Sequence, residues 1–358
     1  MRRRAGWIAC GISSLLCALL LEGVFRWRQP AVVYLNLRPN VQEYCTRPDP
    51  ALQYRNREGF SGRFRTGDFS TTVRINSRGL RDREVSYARV PGRRRILLLG
   101  DSFAFGWGVE AEQTVARRLE AHLPGTEVLN AGCSGWSTRQ EVDFFRIEGR
   151  RYRPDTVLLL FCPNDPVENA QRYRFDRGRL RLVEEDPTPA TRADRWLVKT
   201  SALYGLGKRV LQKFGLTAGG ALPPAIPADL WRVEEDLLRR LITTCRNQNA
   251  RLAIAYVPGK GPGGRPIHLP GYDDLAGFAR REAVPLFDLT APLSGPDAPV
   301  HFPRDEHWTP EGHAAAAAAL ADWLVRQGTH QRGKTRVFQA KVVERFPVKG
   351  PKHQGHAP

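Results

Sequence analysis

The stretch Leu98-Leu99-Gly100-Asp101-Ser102-Phe103-Ala104-Phe105-Gly106 decides how the chain is read. It completes Arg95-Ile96-Leu97-Leu98-Leu99-Gly100, a short continuous apolar run ending in glycine, which is the pattern of a strand buried on both faces. A helical stretch over 112–122 follows. The same succession recurs with a strand over 126–130, a helix over 138–151 and a third strand over 155–161. Alternation of this kind predicts an α/β fold, a mostly parallel sheet covered by helices. Ser102 then stands at the carboxyl edge of that sheet, where open parallel sheets bind ligands.

Outward from this core, alternation fades over 166–227, where Pro, Gly and charged residues dominate, and this stretch reads as an insertion over the sheet with room for an amphipathic helix over 196–214. It resumes with a helix over 229–247, in which Leu230, Val233, Leu237, Leu241 and Cys245 keep helical spacing, and a strand over 252–257. A helix over 272–282, a strand over 284–289 and a helix over 310–327, opened by Thr309 as N-cap and Pro310 in the first turn, close a domain predicted to span 92–330. Residues 29–91 are polar and irregular apart from Thr71-Thr72-Val73-Arg74-Ile75, which alternates like a strand and runs into the turn Asn76-Ser77-Arg78-Gly79, so they read as a linker or collar. The basic tail over 331–358 is expected to be disordered.

The N-terminus carries Arg2, Arg3 and Arg4, an apolar run over 6–25 broken late by Glu22, and then Arg26 and Arg28. About 20 apolar residues suffice to cross a bilayer. No small-residue cleavage step follows Leu21, so residues 1–28 read as a short cytoplasmic stub and an uncleaved transmembrane signal anchor. The arginine bias places the stub in the cytoplasm and the body outside it, in a periplasmic or extracellular location.

The net charge of +18 raises the question of nucleic acid, but the basic residues are scattered and no zinc-finger or RRM signature accompanies them, so no nucleic-acid partner is expected. Cys10 and Cys17 fall in the apolar run, and Cys45, Cys133, Cys162 and Cys245 lack metal-ligand spacing, which points to neither a disulfide framework nor a zinc site.

Three more segments bear on Ser102. The second strand runs into Asn130-Ala131-Gly132-Cys133-Ser134-Gly135-Trp136-Ser137, and the third into Cys162-Pro163-Asn164-Asp165, both at the same sheet edge. A glycine lets a backbone N–H approach a ligand closely, and an asparagine amide is a fixed neutral donor, so Ser102, Gly135 and Asn164 make a candidate oxyanion hole, with Gly132 the competitor for Gly135. Near the end, Phe302-Pro303-Arg304-Asp305-Glu306-His307-Trp308-Thr309-Pro310 sets an aspartate two residues before a histidine in a loop ahead of the last helix. Asp305 there can orient and charge-stabilise the His307 imidazole. Asp101 and Asp165 read as loop braces, and His301 and His313 as surface or capping residues. Trp107 and Trp136 flank the site as candidates for a sugar-facing wall.

Gly100-Asp101-Ser102, Gly135, Asn164 and Asp305-x-His307 resemble, in order, the four sequence blocks of the SGNH/GDSL hydrolases, and the resemblance covers about residues 93–327. It departs from the family where Cys162-Pro163 replaces a glycine-containing approach to the asparagine, and where the Asp-to-His spacing is shorter by one than the commonest form. The resemblance implies a flavodoxin-like three-layer αβα fold and a serine esterase in which Ser102 is nucleophile, His307 general base and Asp305 its orienting carboxylate, with no metal or organic cofactor. It further implies an acyl-ester substrate, with O-acyl groups of an envelope or extracellular carbohydrate as the leading class. O-acyl transfer to a cell-surface polysaccharide with the same triad, favoured if the insertion excludes water, and a non-catalytic polysaccharide-binding module are the alternatives.

Overall fold

The computed structural model describes residues 45–176, 179–183 and 225–330 except 296, with scattered residues among 13–24 and 190–207. Half of the apolar run over 6–25, most of the amphipathic stretch over 196–214 and the tail over 331–358 lie outside the described residues. Among those described, no helix is long and apolar enough to cross a membrane.

The collar consists of two antiparallel hairpins, β1 (Thr46–Asp49) with β2 (Gln53–Asn56) and β3 (Ser61–Arg65) with β4 (Ser70–Arg74). The core begins at β5 (Arg94–Leu99), which leads into the short helix α1 (Ser102–Phe105) and then α2 (Val115–His122). It continues through β6 (Thr126–Asn130), α3 (Thr138–Ile147), β7 (Thr156–Phe161) and the one-turn helix α4 (Asp165–Glu168). The hairpin β8 (Arg172–Asp176) and β9 (Arg179–Val183) precedes α5 (Ala228–Asn247) and β10 (Arg251–Tyr256). The small hairpin β11 (Gly259–Lys260) and β12 (Pro266–Ile267), α6 (Tyr272–Arg281), β13 (Leu286–Asp288), α7 (Thr290–Ser294) and α8 (Pro310–His330) complete the chain.

Five strands pair in the order β13-β10-β7-β5-β6, all parallel. Numbered along the chain this is 2-1-3-4-5, the flavodoxin-like order, in which the direction of winding reverses between β5 and β7. Because the sheet is covered on both faces, β5, β6 and β7 are buried almost throughout. Alternate side chains separate two cores. Leu97, Leu99, Leu129, Val157, Leu159 and Ile254 pack with residues of α3, α5 and α6. Ile96, Leu98, Val128, Leu158 and Leu160 meet Val115 and Leu119 of α2 and Ala316 and Leu320 of α8 on the other face.

Three expectations change. The last strand is three residues long, because Val284 and Pro285 only approach the sheet, the Pro285 carbonyl accepting from Ile254 N. The helix expected over 138–151 ends at Ile147 and passes into a 3-10 turn over Gly149–Tyr152. The described part of the insertion packs on the collar: Tyr173 N–H donates to Gln53 Oε1 at 2.7 Å, and the Tyr173 ring lies 5.0 Å from Tyr54.

Candidate active site

Ser102 reaches the sheet edge because β5 turns sharply into α1. Gly100 takes φ +153, and a Cβ there would sit 2.7 Å from the Ala104 Cβ, so only glycine fits the turn. Asp101 caps the helix, its Oδ1 accepting from Phe103 N at 2.9 Å. Gly106 ends it in the left-handed region with its N–H on Ser102 O, leaving the Ser102 N–H at the open first turn. The collar braces the far side of this turn: the buried Arg81 guanidinium donates to the carbonyls of Phe105, Gly106 and Val109. Burial pulls Arg81 down to about 10, against the charge of Glu110.

His307 is delivered by the loop between α7 and α8. Phe302 N–H donates to His307 O and Thr309 N–H to Val300 O, and His301 bridges Trp308, so the loop closes on itself ahead of α8. Within it, one oxygen of Asp305 is met twice by His307: Oδ1 accepts from the backbone N at 2.8 Å and from Nδ1 at 2.5 Å. The opposite ring nitrogen, Nε2, lies 2.7 Å from Ser102 Oγ. Burial pushes the Asp305 carboxyl up, but the His307 hydrogen bonds and charge and the Trp107 indole outweigh it and hold Asp305 below the ordinary carboxylate value. An ionised Asp305 only accepts, so Nδ1 carries the ring proton and Nε2 offers its lone pair to the Ser102 hydroxyl.

The structure therefore brings Ser102, His307 and Asp305 into one hydrogen-bonded line. Gly135 and Asn164 lie at the same sheet edge, on the loops after β6 and β7, the two strands flanking β5. Gly135 takes φ +77 in a turn closed by Trp136 N–H on Cys133 O. The Gly132 N–H is spent on Asn130 Oδ1 at 3.0 Å, and an added Cβ would meet the Phe105 N at 2.3 Å, so Gly132 serves close packing under α1. Asn164 opens α4 with its carbonyl, which accepts from Val167 and Glu168, while its side chain makes no cap. Burial and the nearby Asp101 push the Glu168 carboxyl up to about 7, against the opposing influence of the Asn164 side chain.

Beneath the Gly135 and Asn164 loops lies a cluster of buried acids. Asp165 Oδ2 accepts from Thr138 Oγ1 at 3.1 Å and from Cys162 N at 3.3 Å, so it braces the two loops together. Glu234 accepts from Asn169 Nδ2 at 2.6 Å. Neither oxygen of Glu141 has a hydrogen-bond partner among the described residues. Burial raises both Glu141 and Asp165 well above the ordinary carboxylate value, helped in Glu141 by the charges of Asp101 and Glu234 and in Asp165 by those of Glu141 and Asp101. Among the described residues, no group of three or more His, Cys, Asp or Glu is arranged to hold a metal ion.

Two side-chain expectations are corrected. Trp136 is 2% exposed, donates its indole N–H to Tyr54 O at 3.0 Å and packs on Phe144, so no face remains for a sugar. His301 and His313 are buried and not on the surface, and His313 takes the capping alternative, its Nδ1 accepting from Val115 N at the start of α2. Burial and the positive charge of Arg81 hold His313 down to about 3, in the neutral form that this acceptor role requires.

Residues that the sequence did not single out also form the site. Asp68 Oδ2 accepts from Arg304 N at 2.8 Å, and Phe69 packs on Phe302 and Trp107, so the collar touches the loop that carries His307. Lys260 Nζ reaches the same loop from the other side. Trp107, expected at a substrate wall, turns its indole N–H to Asp305 Oδ2 at 3.2 Å and lies 5.8 Å from the His307 ring.

The sequence profile of the GDSL-like lipase/acylhydrolase family matches residues 98–315, more than half of the chain. The curated proteins yield no match. Among solved structures, a GDSL-like lipase from Bacteroides thetaiotaomicron aligns at 13% identity and TM-score 0.41 over 68% of this chain and 93% of its own. A member of the lipolytic protein G-D-S-L family from Veillonella parvula aligns at 13% identity and TM-score 0.41 over 65% and 99%. A two-domain esterase active on acetylated mannans, co-crystallised with mannopentaose, aligns at 14% identity and TM-score 0.40 over 70% of this chain and 53% of its own. Likenesses at this level bear on neither substrate nor residue roles.

Proposed function

The chain belongs to the GDSL-like lipase/acylhydrolase family and is an ester-bond hydrolase, and from that premise we propose that it works through Ser102, His307 and Asp305 on O-acyl esters of an envelope or extracellular carbohydrate. The observation that carries the catalytic reading is the 2.7 Å contact between Ser102 Oγ and His307 Nε2, with Asp305 fixing the opposite ring nitrogen. On this reading His307 takes the Ser102 proton as Oγ attacks the acyl carbonyl, then gives it to the departing alcohol, leaving an acyl-Ser102 ester. Water, deprotonated by the same nitrogen, then frees the acid and regenerates Ser102. The Ser102 and Gly135 N–H groups and the Asn164 amide bind the oxyanion at each tetrahedral stage.

The carbohydrate part of the proposal rests on the carbohydrate esterases of the SGNH/GDSL type and on the anchored topology read from the N-terminal arginines and the apolar run behind them. The body then lies outside the cytoplasm, held by one helix. A reporter fused after Pro358 should be active outside the cytoplasm and sediment with membranes, and cytoplasmic reporter activity overturns the topology.

The experiment for the substrate class compares acid release by the full-length chain in detergent from O-acylated polysaccharides, from p-nitrophenyl esters of rising chain length and from phospholipid. Preference for short acyl groups on the polysaccharide supports the reading. Release from phospholipid alone overturns it.

A further inference from the structure

We infer that Lys260 is a positioning residue for the catalytic loop, holding the backbone from Phe302 to Asp305 so that His307 meets Ser102. The inference rests on the triad reading above. Lys260 Nζ donates to three carbonyls of that loop, Phe302 O at 2.5 Å, Pro303 O at 2.9 Å and Asp305 O at 3.2 Å. An ammonium has three N–H donors, so all of them are committed to this one segment.

The loop needs such a fastening. Between Phe302 and His307 it is a run of bends, joined to itself by Phe302 N–H on His307 O and by the Asp305 contacts of His307. Its other ties come from elements distant in sequence: the Trp107 indole on Asp305 and Ser102 on His307 hold side chains, while Asp68 of the collar on Arg304 N and Lys260 on the carbonyls hold the backbone. The three carbonyls flank Arg304 and include Asp305 itself, so a shift of the segment moves the carboxylate that aims the imidazole. Misplacing a reacting group by about 1 Å can cost about 10²-fold in rate.

The element that presents Lys260 is itself firmly built. It pairs with Pro266 across β11 and β12, and Gly261 N–H donates to Arg265 O at 2.7 Å. At Gly259 an added Cβ would meet the Leu269 side chain at 2.3 Å, so glycine lets the hairpin backbone lie against Leu269 just before the lysine. The hairpin tip also touches the start of the loop, where His301 Nδ1 lies 3.2 Å from Gly264 O. No ion pair engages Lys260 among the described residues, which leaves the loop carbonyls as its partners.

The test measures kcat and KM on p-nitrophenyl acetate, and the melting temperature, for the full-length chain in detergent and its Lys260→Met, Lys260→Gln, Lys260→Arg and Ser102→Ala variants. Lys260→Met should lower kcat by about tenfold or more with KM within about twofold, since binding contacts are untouched and only transition-state alignment is lost. Lys260→Gln, with a two-donor amide, should fall between Met and wild type, and Lys260→Arg should recover part of the rate. The inference is overturned if Lys260→Met keeps the wild-type kcat, if the rate losses across the series follow the melting temperatures, or if KM rises while kcat stands. Should Lys260→Met fail to fold, a wild-type kcat in Lys260→Gln overturns it equally. Turnover surviving in Ser102→Ala removes the triad reading itself, an outcome distinct from a dead Ser102→Ala beside a fully active Lys260→Met.

Discussion

The Trp107 indole N–H donates to Asp305 Oδ2 at 3.2 Å, on the carboxylate oxygen that His307 leaves free. Asp305 is thereby gripped on both oxygens, and Trp107 links the nucleophile helix directly to the loop that carries the base. The collar keeps the indole in place, with Phe64 and Phe69 rings 6.5 and 6.1 Å away.

Trp107→Phe keeps most of this packing and removes the donor. A hydrogen bond to a charged group is worth about 1.5–3 kcal/mol, or about 10- to 100-fold if it were lost wholly in the transition state. Because water can replace part of it, kcat should fall about 10-fold while KM stays near wild type. Steady-state kinetics decide this, and a raised KM with unchanged kcat would return Trp107 to a substrate wall.

Asn164 offers a sharper contrast. Its side chain makes no helix cap, so capping the turn after β7 does not account for it. Asn164→Ala should lose about 10²–10³ in kcat, the worth of one oxyanion-hole donor. Asn164→Asp should lose more, because a carboxylate beside the developing oxyanion repels it. Both variants need a thermal melt alongside the kinetics, and near-wild-type turnover in the Asp variant removes Asn164 from the oxyanion hole.

The five strands of the sheet and the pairing of Asp305 with His307 were legible in the sequence because each is written locally. Strands covered on both faces must be continuous apolar runs, and Leu97-Leu98-Leu99 and Leu158-Leu159-Leu160 are such runs. Two-residue spacing lets Asp305 meet both the backbone and the ring of His307, so that pair announced itself too. Lys260, Arg81 and Asp68 were not legible: each is a polar side chain reaching across from an element distant in sequence, and no periodicity marks its target. Trp136 misled because an aromatic beside a glycine turn has the same local pattern whether it faces core or ligand. The surface alternative for His313 failed, and the capping one held, because its burial depends on α2, which packs on it from nearly two hundred residues upstream.

The buried acids make a prediction about stability. Glu141 is fully buried, both its oxygens lack a hydrogen-bond partner among the described residues, and its folded pKa lies above the unfolded value of 4.5. The folded chain therefore binds the proton more tightly, and stability is lost as pH rises above 4.5. Glu141→Met, of similar length and without polar atoms, should stabilise the fold at pH 8 by about 1–3 kcal/mol, the cost of an unsatisfied buried polar group. The gain should shrink at pH 5. Melts at the two pH values test it, and a gain that is equal at both, or a loss at pH 8, contradicts the assignment.

The most direct test of the central claim is covalent: full-length chain is treated with a fluorophosphonate, and the adduct is located by peptide mass mapping. The reagent reports an activated serine hydroxyl, which is what the Ser102–His307–Asp305 line should create. A single adduct on Ser102, absent in Ser102→Ala and formed far more slowly in His307→Ala, is the predicted result. An unlabelled wild-type chain, or labelling that persists in Ser102→Ala, contradicts it.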